Sequence, residues 1–528
     1  MSSCTSQVRP GAAPARFSAW LHGQRTSTRL AFFLQTGCRL LTALCSLVWA
    51  RLLLKTMGAE LNGLFLNFQG IASLGGLGDL GMGGMVNIQT SRLLGQGKEG
   101  ELKGFLAAAR GFFSVVLVVT VVAFLLIAPG LLRSQKFASV PTAGPLSGLY
   151  IVGAVAVGMV ILNSYIGSLN YGCGNILWPV VPGFVLLQLG SMSHWLLARQ
   201  GLALWVQYLP YAGAAVLTHI LNWWWIRLSH PELGTLRPVT LEWRQFLSLA
   251  AKSFWVYLYS VAAGIITTTS GLLIAAGFEP GLVPTYRYNG RLCELIAFMA
   301  VSAGSVSLPK ITQWLASPDA AARQRAVREA GRLSQFQTVL GCAGALGYLA
   351  VNDWFVRLWL GRNFQAPLSW QVAFAGYLAI TCAGQLGFDL APRCCEGGLR
   401  VGGIAAALMA LLNLGLSLIA MKMHWVLGIA LAGVVSQSIG LIGIGWYTCR
   451  QMQISWWRLS VRNWLLAVAV TAFGVFLHRW LPIGSILTAA ATAIICGGAV
   501  FLVAYILGFR IKDLREEALV LKSIFGSR

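Results

Sequence analysis

The run GFFSVVLVVTVVAFLLIAPGLL, residues 111–132, decides the fold. It holds no charge and no apolar–polar alternation, and it exceeds the roughly 20 residues a helix needs to cross a bilayer. ILTAAATAIICGGAVFLVAYIL, residues 486–507, repeats the pattern near the other end of the chain. Backbone groups in hydrocarbon have to pair internally, which leaves helices or a closed barrel. Barrel strands would alternate over about 10 residues, so these runs are helices. Composition extends the reading to the whole chain. Hydrophobic residues make up 57% and charged residues 10%, against about 25% charged in a soluble domain.

Outward from these two runs, the hydropathy predicts an all-α polytopic membrane protein of about 14 spans: 30–54, 61–91, 105–132, 146–169, 177–198, 203–226, 247–276, 283–309, 333–352, 367–389, 401–421, 427–449, 463–479 and 484–507. Residues 1–29 are polar and read as a disordered N-terminus without a cleavable signal. With that end inside, 27 basic residues fall on the inner side, 9 on the outer side and 3 within spans. The bias predicts a bacterial inner-membrane protein with both termini cytoplasmic. It also accounts for the net charge of +23 by topology and contact with anionic lipids rather than by nucleic acid.

Spans one to six (30–226) and seven to twelve (247–449) have the same loop rhythm, with a basic loop after the second helix of each block (92–110 and 310–332). The reading is two six-helix lobes, a connector at 227–246, two further helices in 450–507 and a cytoplasmic tail at 508–528. Repeated halves of this kind place a substrate site between them.

Motifs exclude several chemistries. The chain has no GxxxxGK[ST] and no HExxH, and its six histidines are scattered. Neither a nucleotide cassette nor a metal site is expected, and no cofactor is called for. The glycines of GGLGDLGMGG, residues 75–84, lie in an apolar span without lysine and read as helix packing. Outer loops are too short for the catalytic domain of a membrane polymerase or ligase, so the chain reads as a transporter and not an enzyme.

Charges inside spans are costly and mark function. Arg39 lies in the first span and Asp79 in the second. The eighth carries Arg287, Arg291 and Glu294, spaced four and three apart and therefore on one helical face. Ser302 and Ser305 continue that stripe, and Thr267–Ser270 is a further polar run. Two arginines on one face can hold a phosphate or diphosphate through paired N–H donors.

The run MGAELNGLF (57–65), then GDLGM (78–82) and the basic loop 90–103, resembles the start of the bacterial oligosaccharide flippases. These are the O-antigen translocases and polysaccharide exporters of the multidrug/oligosaccharidyl-lipid/polysaccharide exporter superfamily. LPKI (308–311) and WLGRNF (359–364) extend the resemblance into the second lobe. Asn62 departs from it, because many members carry an aromatic residue there. The resemblance implies a two-lobed transporter with a central cationic cavity. Its implied cargo is a polyprenyl-diphosphate-linked oligosaccharide for O-antigen, capsule or exopolysaccharide assembly, turned from one leaflet to the other. It carries over Arg39, Arg287 and Arg291 as cavity residues, while Asp79 and Glu294, as ionisable groups within spans, are the candidate coupling or cavity carboxylates. A polysaccharide polymerase and other assembly proteins are the implied partners, with membrane lipids around the chain. A lipid II flippase and a cation-coupled multidrug antiporter are the alternatives.

Overall fold

The computed structural model describes residues 28–74, 79, 81–95, 98–132, 146–173, 175, 177–231, 233, 243–316, 319–394, 397–480 and 486–506. Nearly all of the N-terminal segment, the C-terminal tail and residues 234–242 of the connector lie outside this set. The described residues form fourteen α-helices. They are α1 Thr28–Leu74, α2 Met82–Gly95, α3 Glu99–Leu132, α4 Leu146–Gly172, α5 Leu177–Arg199, α6 Leu204–Ser229, α7 Trp243–Gly277, α8 Leu282–Ala316, α9 Ala320–Trp359, α10 Leu368–Cys394, α11 Gly398–Lys422, α12 Val426–Met452, α13 Arg462–Trp480 and α14 Ile486–Ile506. Seven of them are each long and apolar enough to cross a membrane. The outward faces require lipid, since Leu126 is 74% exposed and Ile494 75%.

The expected gap between spans one and two falls inside α1 at Gly58, whose φ of 76° and ψ of 172° break the helical path. Such angles favour glycine because it has no Cβ. Ala50 and Leu54 before the break pack in one cluster with Leu66 after it. The second span, expected to run through residue 91, is described as the end of α1 up to Leu74 and as α2 from Met82, with Gly81 just before α2 at a φ of 72°. Between spans eight and nine the basic stretch is itself helical. Asp319 caps α9 by accepting the N–H groups of Ala321 (2.9 Å) and Ala322 (3.2 Å). Ala322, Ala326 and Ala330 then face inward while Arg323, Arg325 and Arg328 stay exposed.

The packing repeats. In the first lobe α1 packs on α5, α5 on α6, α6 on α4, and α4 on α3 and α2. In the second, α7 packs on α11, α11 on α12, α12 on α10, and α10 on α9 and α8. The sixth helix of each lobe ends on a guanidinium over an indole one turn back, Arg227 on Trp223 at 3.7 Å and Arg450 on Trp446 at 5.5 Å, a pairing suited to a membrane interface. Helices α13 and α14 lie against α9 and α10, and Asn463 of α13 donates to Ser334 of α9 at 2.7 Å.

Lipid is as apolar as leucine, so close backbone approach and polar ties hold these helices together. Asn163 and Asn170, seven residues apart on α4, donate to the carbonyls of Ala215 (2.9 Å) and Asn222 (3.3 Å), seven apart on α6. In the second lobe α10 and α12 cross at paired glycines, where a Cβ on Gly387 would stand 3.1 Å from the Cα of Gly445. Gly387→Val is therefore expected to part these helices and destabilise the protein by about 1–3 kcal/mol, the usual scale of overpacking. A thermal-unfolding midpoint in detergent that stayed at the wild-type value would show that the helices do not meet there.

Candidate functional site: the cavity between the lobes

A cavity of about 580 Å³ lies between the lobes, walled by α1, α5 and α6 on one side and α7, α8, α10, α11 and α12 on the other. Its charge comes from α8. Among the described lining residues, Arg287, Arg291 and Glu294 are the formally charged ones, and their four-and-three spacing puts all three on the face turned to the cavity. Side-chain exposures of 41% for Arg291 and 60% for Glu294 make the site wet, which is how charges persist at membrane depth.

Both guanidiniums reach across to the first lobe. Arg287 Nη1 donates to the carbonyl of Leu66 at 3.2 Å. Its head lies between Gly70 and Gly271, where an added Cβ would come within 2.9 Å of it on either side. Glycine at both positions is what lets the guanidinium lie flat between α1 and α7. Arg291 donates to the Ser46 hydroxyl through Nη2 (2.9 Å) and Nε (3.3 Å), and its Nη1 pairs with Glu294 at 2.5 Å.

One end of the cavity is sealed. At the start of α8 the Tyr288 hydroxyl donates to Asn62 Oδ1 at 2.9 Å, and Trp359 Nε1 donates to the carbonyl of Leu47 at 2.7 Å. Ala50, Leu54, Tyr288 and Trp359 are buried together there, and Gly63 lies directly against the carbonyl of Pro280. Tyr288→Phe would leave Asn62 Oδ1 buried without its donor, at about 1 kcal/mol, shifting the seal equilibrium by roughly fivefold. In a background stripped of native cysteines, Leu54→Cys reports on it: its labelling by a water-soluble maleimide should rise by that factor. Equal labelling with and without the Tyr288 hydroxyl would mean that the bond does not hold the seal.

The expected site residues fall out unequally. Arg287, Arg291 and Glu294 come together in the cavity. Arg39 has its backbone in α1 at the helical register of Thr42, Ser46 and Trp49, which line the cavity, while its side chain lies outside the described residues. The side chains of Thr267, Ser302 and Ser305 also lie outside them. Thr268 and Ser270 do line the cavity, and Thr268 donates to its own helix at the Gly264 carbonyl, 2.7 Å away. Asp79 is not among the cavity-lining residues. Its carboxylate accepts the Gly81 N–H at 2.8 Å and the Ser164 hydroxyl at 2.6 Å, fixing the break before α2 and tying it to α4.

The first-lobe wall escaped the sequence reading. Trp49, whose Nε1 donates to Gln188 at 2.9 Å, Gln69 and Tyr211 present amides, a phenol and an indole to the cavity, a lining that can hydrogen-bond and stack on a sugar ring. Such uncharged groups scattered through apolar helices carry little signal, because one polar residue per turn is compatible with packing alone.

No family model matches the sequence, and no curated protein does. The fold is similar to the solved structure of the lipid II flippase MurJ in an inward closed conformation, with a TM-score of 0.61 and 15% identity over 89% of this chain and 97% of that one. It is also similar to an inward-facing multidrug resistance transporter of the MATE family of the MOP superfamily, with a TM-score of 0.49 and 15% identity over 81% of this chain and 97% of that one. At these identities the likeness is one of fold.

Proposed function

We propose that this chain is a flippase that turns a polyprenyl-diphosphate-linked oligosaccharide across the bacterial inner membrane for surface polysaccharide assembly. One observation carries the reading: two guanidiniums, Arg287 and Arg291, stand one turn apart on α8 in a wet cavity between two lobes. A diphosphate offers the acceptors such a pair needs. The amide and aromatic lining suits the sugars, and the prenyl chain stays in lipid between the lobes.

The same contacts supply a route to alternating access. With the lobes sealed, the guanidiniums hold them together by donating to Leu66 and Ser46, and Glu294 pairs with Arg291 as a stand-in anion. A diphosphate that takes both guanidiniums withdraws these ties, leaving Tyr288–Asn62 and Trp359–Leu47 to yield as the lobes rock. Cargo then acts by binding the released state better than the sealed one, the one way a ligand shifts such an equilibrium. With the termini cytoplasmic, as the basic-residue bias implies, the sealed end faces the periplasm.

A second reading, a lipid II flippase, is favoured by the fold likeness to MurJ and shares the diphosphate. A drug antiporter would bring cationic cargo to two guanidiniums and is disfavoured on charge. The test is the sidedness of lipid-linked glycan in cells depleted of the protein. Cytoplasmic-leaflet accumulation of a surface-polymer repeat unit is the expected result, and accumulation of lipid II would move the assignment to the second reading. A lipid-linked pool of normal size and sidedness would overturn both.

A further inference from the structure

The first lobe holds a titratable group that this cycle does not use. His194, on α5, is wholly buried. Its ring lies 4.3 Å from that of Phe65 and 5.4 Å from that of Tyr211. Nδ1 is 3.3 Å from the Tyr211 hydroxyl, which in turn lies 3.4 Å from Ser191 Oγ, and Ser191 donates to the Leu187 carbonyl at 3.0 Å. Tyr211 and Ser191 both line the cavity between the lobes, so a continuous line of hydroxyls joins the buried ring to the wet site. Gln207 adjoins the ring, its amide donating to the Leu202 carbonyl at 2.6 Å, and its Oε1 and the ring's Nε2 are buried next to one another short of a well-aligned hydrogen bond.

These groups can serve the ring in either charge state. Neutral, it carries its proton on Nε2 toward Gln207 Oε1 and accepts the Tyr211 hydroxyl at Nδ1. Charged, it donates from both nitrogens, and Tyr211 turns to Ser191. The hydroxyls of Ser191 and Tyr211 donate or accept as required. From α6 the ring faces the phenol of Tyr211, with Tyr208 one ring further against Phe65. From α1 it faces Phe65, and Tyr150 of α4 packs against the same cluster as Phe65 and Tyr208. Among the described residues no carboxylate, guanidinium or ammonium pairs with it.

We propose that His194 is a proton-binding site of the first lobe, loaded from the cavity through Ser191 and Tyr211, and that its proton is exchanged against the cargo in each cycle. The proposal rests on the flippase reading for what is exchanged, and on the geometry alone for the site. In the loading step a hydronium ion in the cavity protonates Ser191, Ser191 passes its own proton to Tyr211, and Tyr211 passes its phenolic proton to Nδ1. Both hydroxyls end neutral, the hydronium ion becomes water, and imidazole becomes imidazolium.

The lobe motion gates this step. Phe65, stacked on the ring, immediately precedes Leu66, whose carbonyl receives Arg287. In the sealed state an imidazolium is caged by aromatic rings with no counter-charge, which is unfavourable. Movement of this α1 segment as the seal opens wets the ring and favours the charged form. Binding linkage is reciprocal, so acid on the side to which the open cavity faces favours the open state.

Two readouts test this on the full chain. In nanodiscs, with the histidine ring nitrogens isotopically labelled, the imidazole signal missing from His194→Gln should titrate between pH 4 and 8 in the Tyr288→Phe protein, whose seal is weakened, and at lower pH in the wild type. A signal that does not titrate in either protein overturns the site, whatever the cargo. In proteoliposomes loaded with the lipid-linked glycan recovered from depleted cells, the leaflet ratio should change about tenfold per unit of imposed pH difference, the equivalent of one proton per cargo. His194→Gln should equilibrate the glycan but lose that dependence, and Tyr211→Phe, which keeps the ring and removes the relay, should lose it too. A pH-driven ratio that survives in His194→Gln overturns the exchange, whereas a wild type that flips no glycan at any pH counts against the flippase reading instead.

Discussion

Replacing Arg291 by alanine is expected to cut glycan flipping by about two orders of magnitude while leaving the protein folded and inserted. The two halves of that expectation have separate causes. Arg291 is 41% exposed in a wet cavity, so its removal leaves no buried charge stranded, and Ser46 and Glu294 are left facing water. The cargo loses paired charge-assisted hydrogen bonds, each about 1.5–3 kcal/mol, and two of them reach a hundredfold. Glu294, no longer neutralised, then repels the diphosphate. Arg291→Lys should fall between wild type and alanine, because an ammonium restores the charge without the planar fork. Glu294→Gln should bind the diphosphate more tightly and release it more slowly, since the competing anion is gone. The measurement is flipping in proteoliposomes alongside protein level in the membrane fraction. Wild-type flipping by Arg291→Ala would sink the cavity assignment.

The sequence discloses what lipid penalises. A long run without charge can only be a span, and three ionisable groups on one face of a span can only be kept wet, so the helical architecture and the stripe on α8 are both legible from the chain alone. Asp79 shows the limit of that logic. A carboxylate in an apolar run reads the same whether it faces a cavity or ends a helix, and only the Gly81 N–H and Ser164 hydroxyl it accepts reveal the second role. Asn62 and Ser46 show the opposite failure. Each is a small polar residue of an ordinary kind, and each becomes decisive only because α8 brings Tyr288 and Arg291 opposite it. Contacts between residues more than two hundred positions apart have no local signature. Gly58 stands between these cases, since a glycine at a span junction is unremarkable until its φ of 76° shows that the helical path breaks at that residue.

Gly63→Ala is expected to unseat the seal more than any other single methyl group added to this chain. A Cβ at Gly63 would overlap the carbonyl of Pro280 and lie 3.3 Å from the Pro284 ring. The Pro280 carbonyl is held by the Val283 N–H it accepts at 3.1 Å and cannot swing aside freely, so α1 has to back away from the α7–α8 junction. Asn62, next in the chain, then loses its register with Tyr288. With overpacking at about 1–3 kcal/mol, the equilibrium moves toward the open state by roughly ten- to hundredfold, and flipping falls because the lobes no longer re-close. Gly70→Ala is the control. It also intrudes on the interface between the lobes, but its Cβ meets the far end of Arg287, 2.9 Å away, and a guanidinium can rotate off at small cost. Labelling of Leu54→Cys should therefore rise steeply in Gly63→Ala and only modestly in Gly70→Ala. The reverse order would mean that the Arg287 tie holds the lobes closed more firmly than the fit of α1 against the α7–α8 turn does.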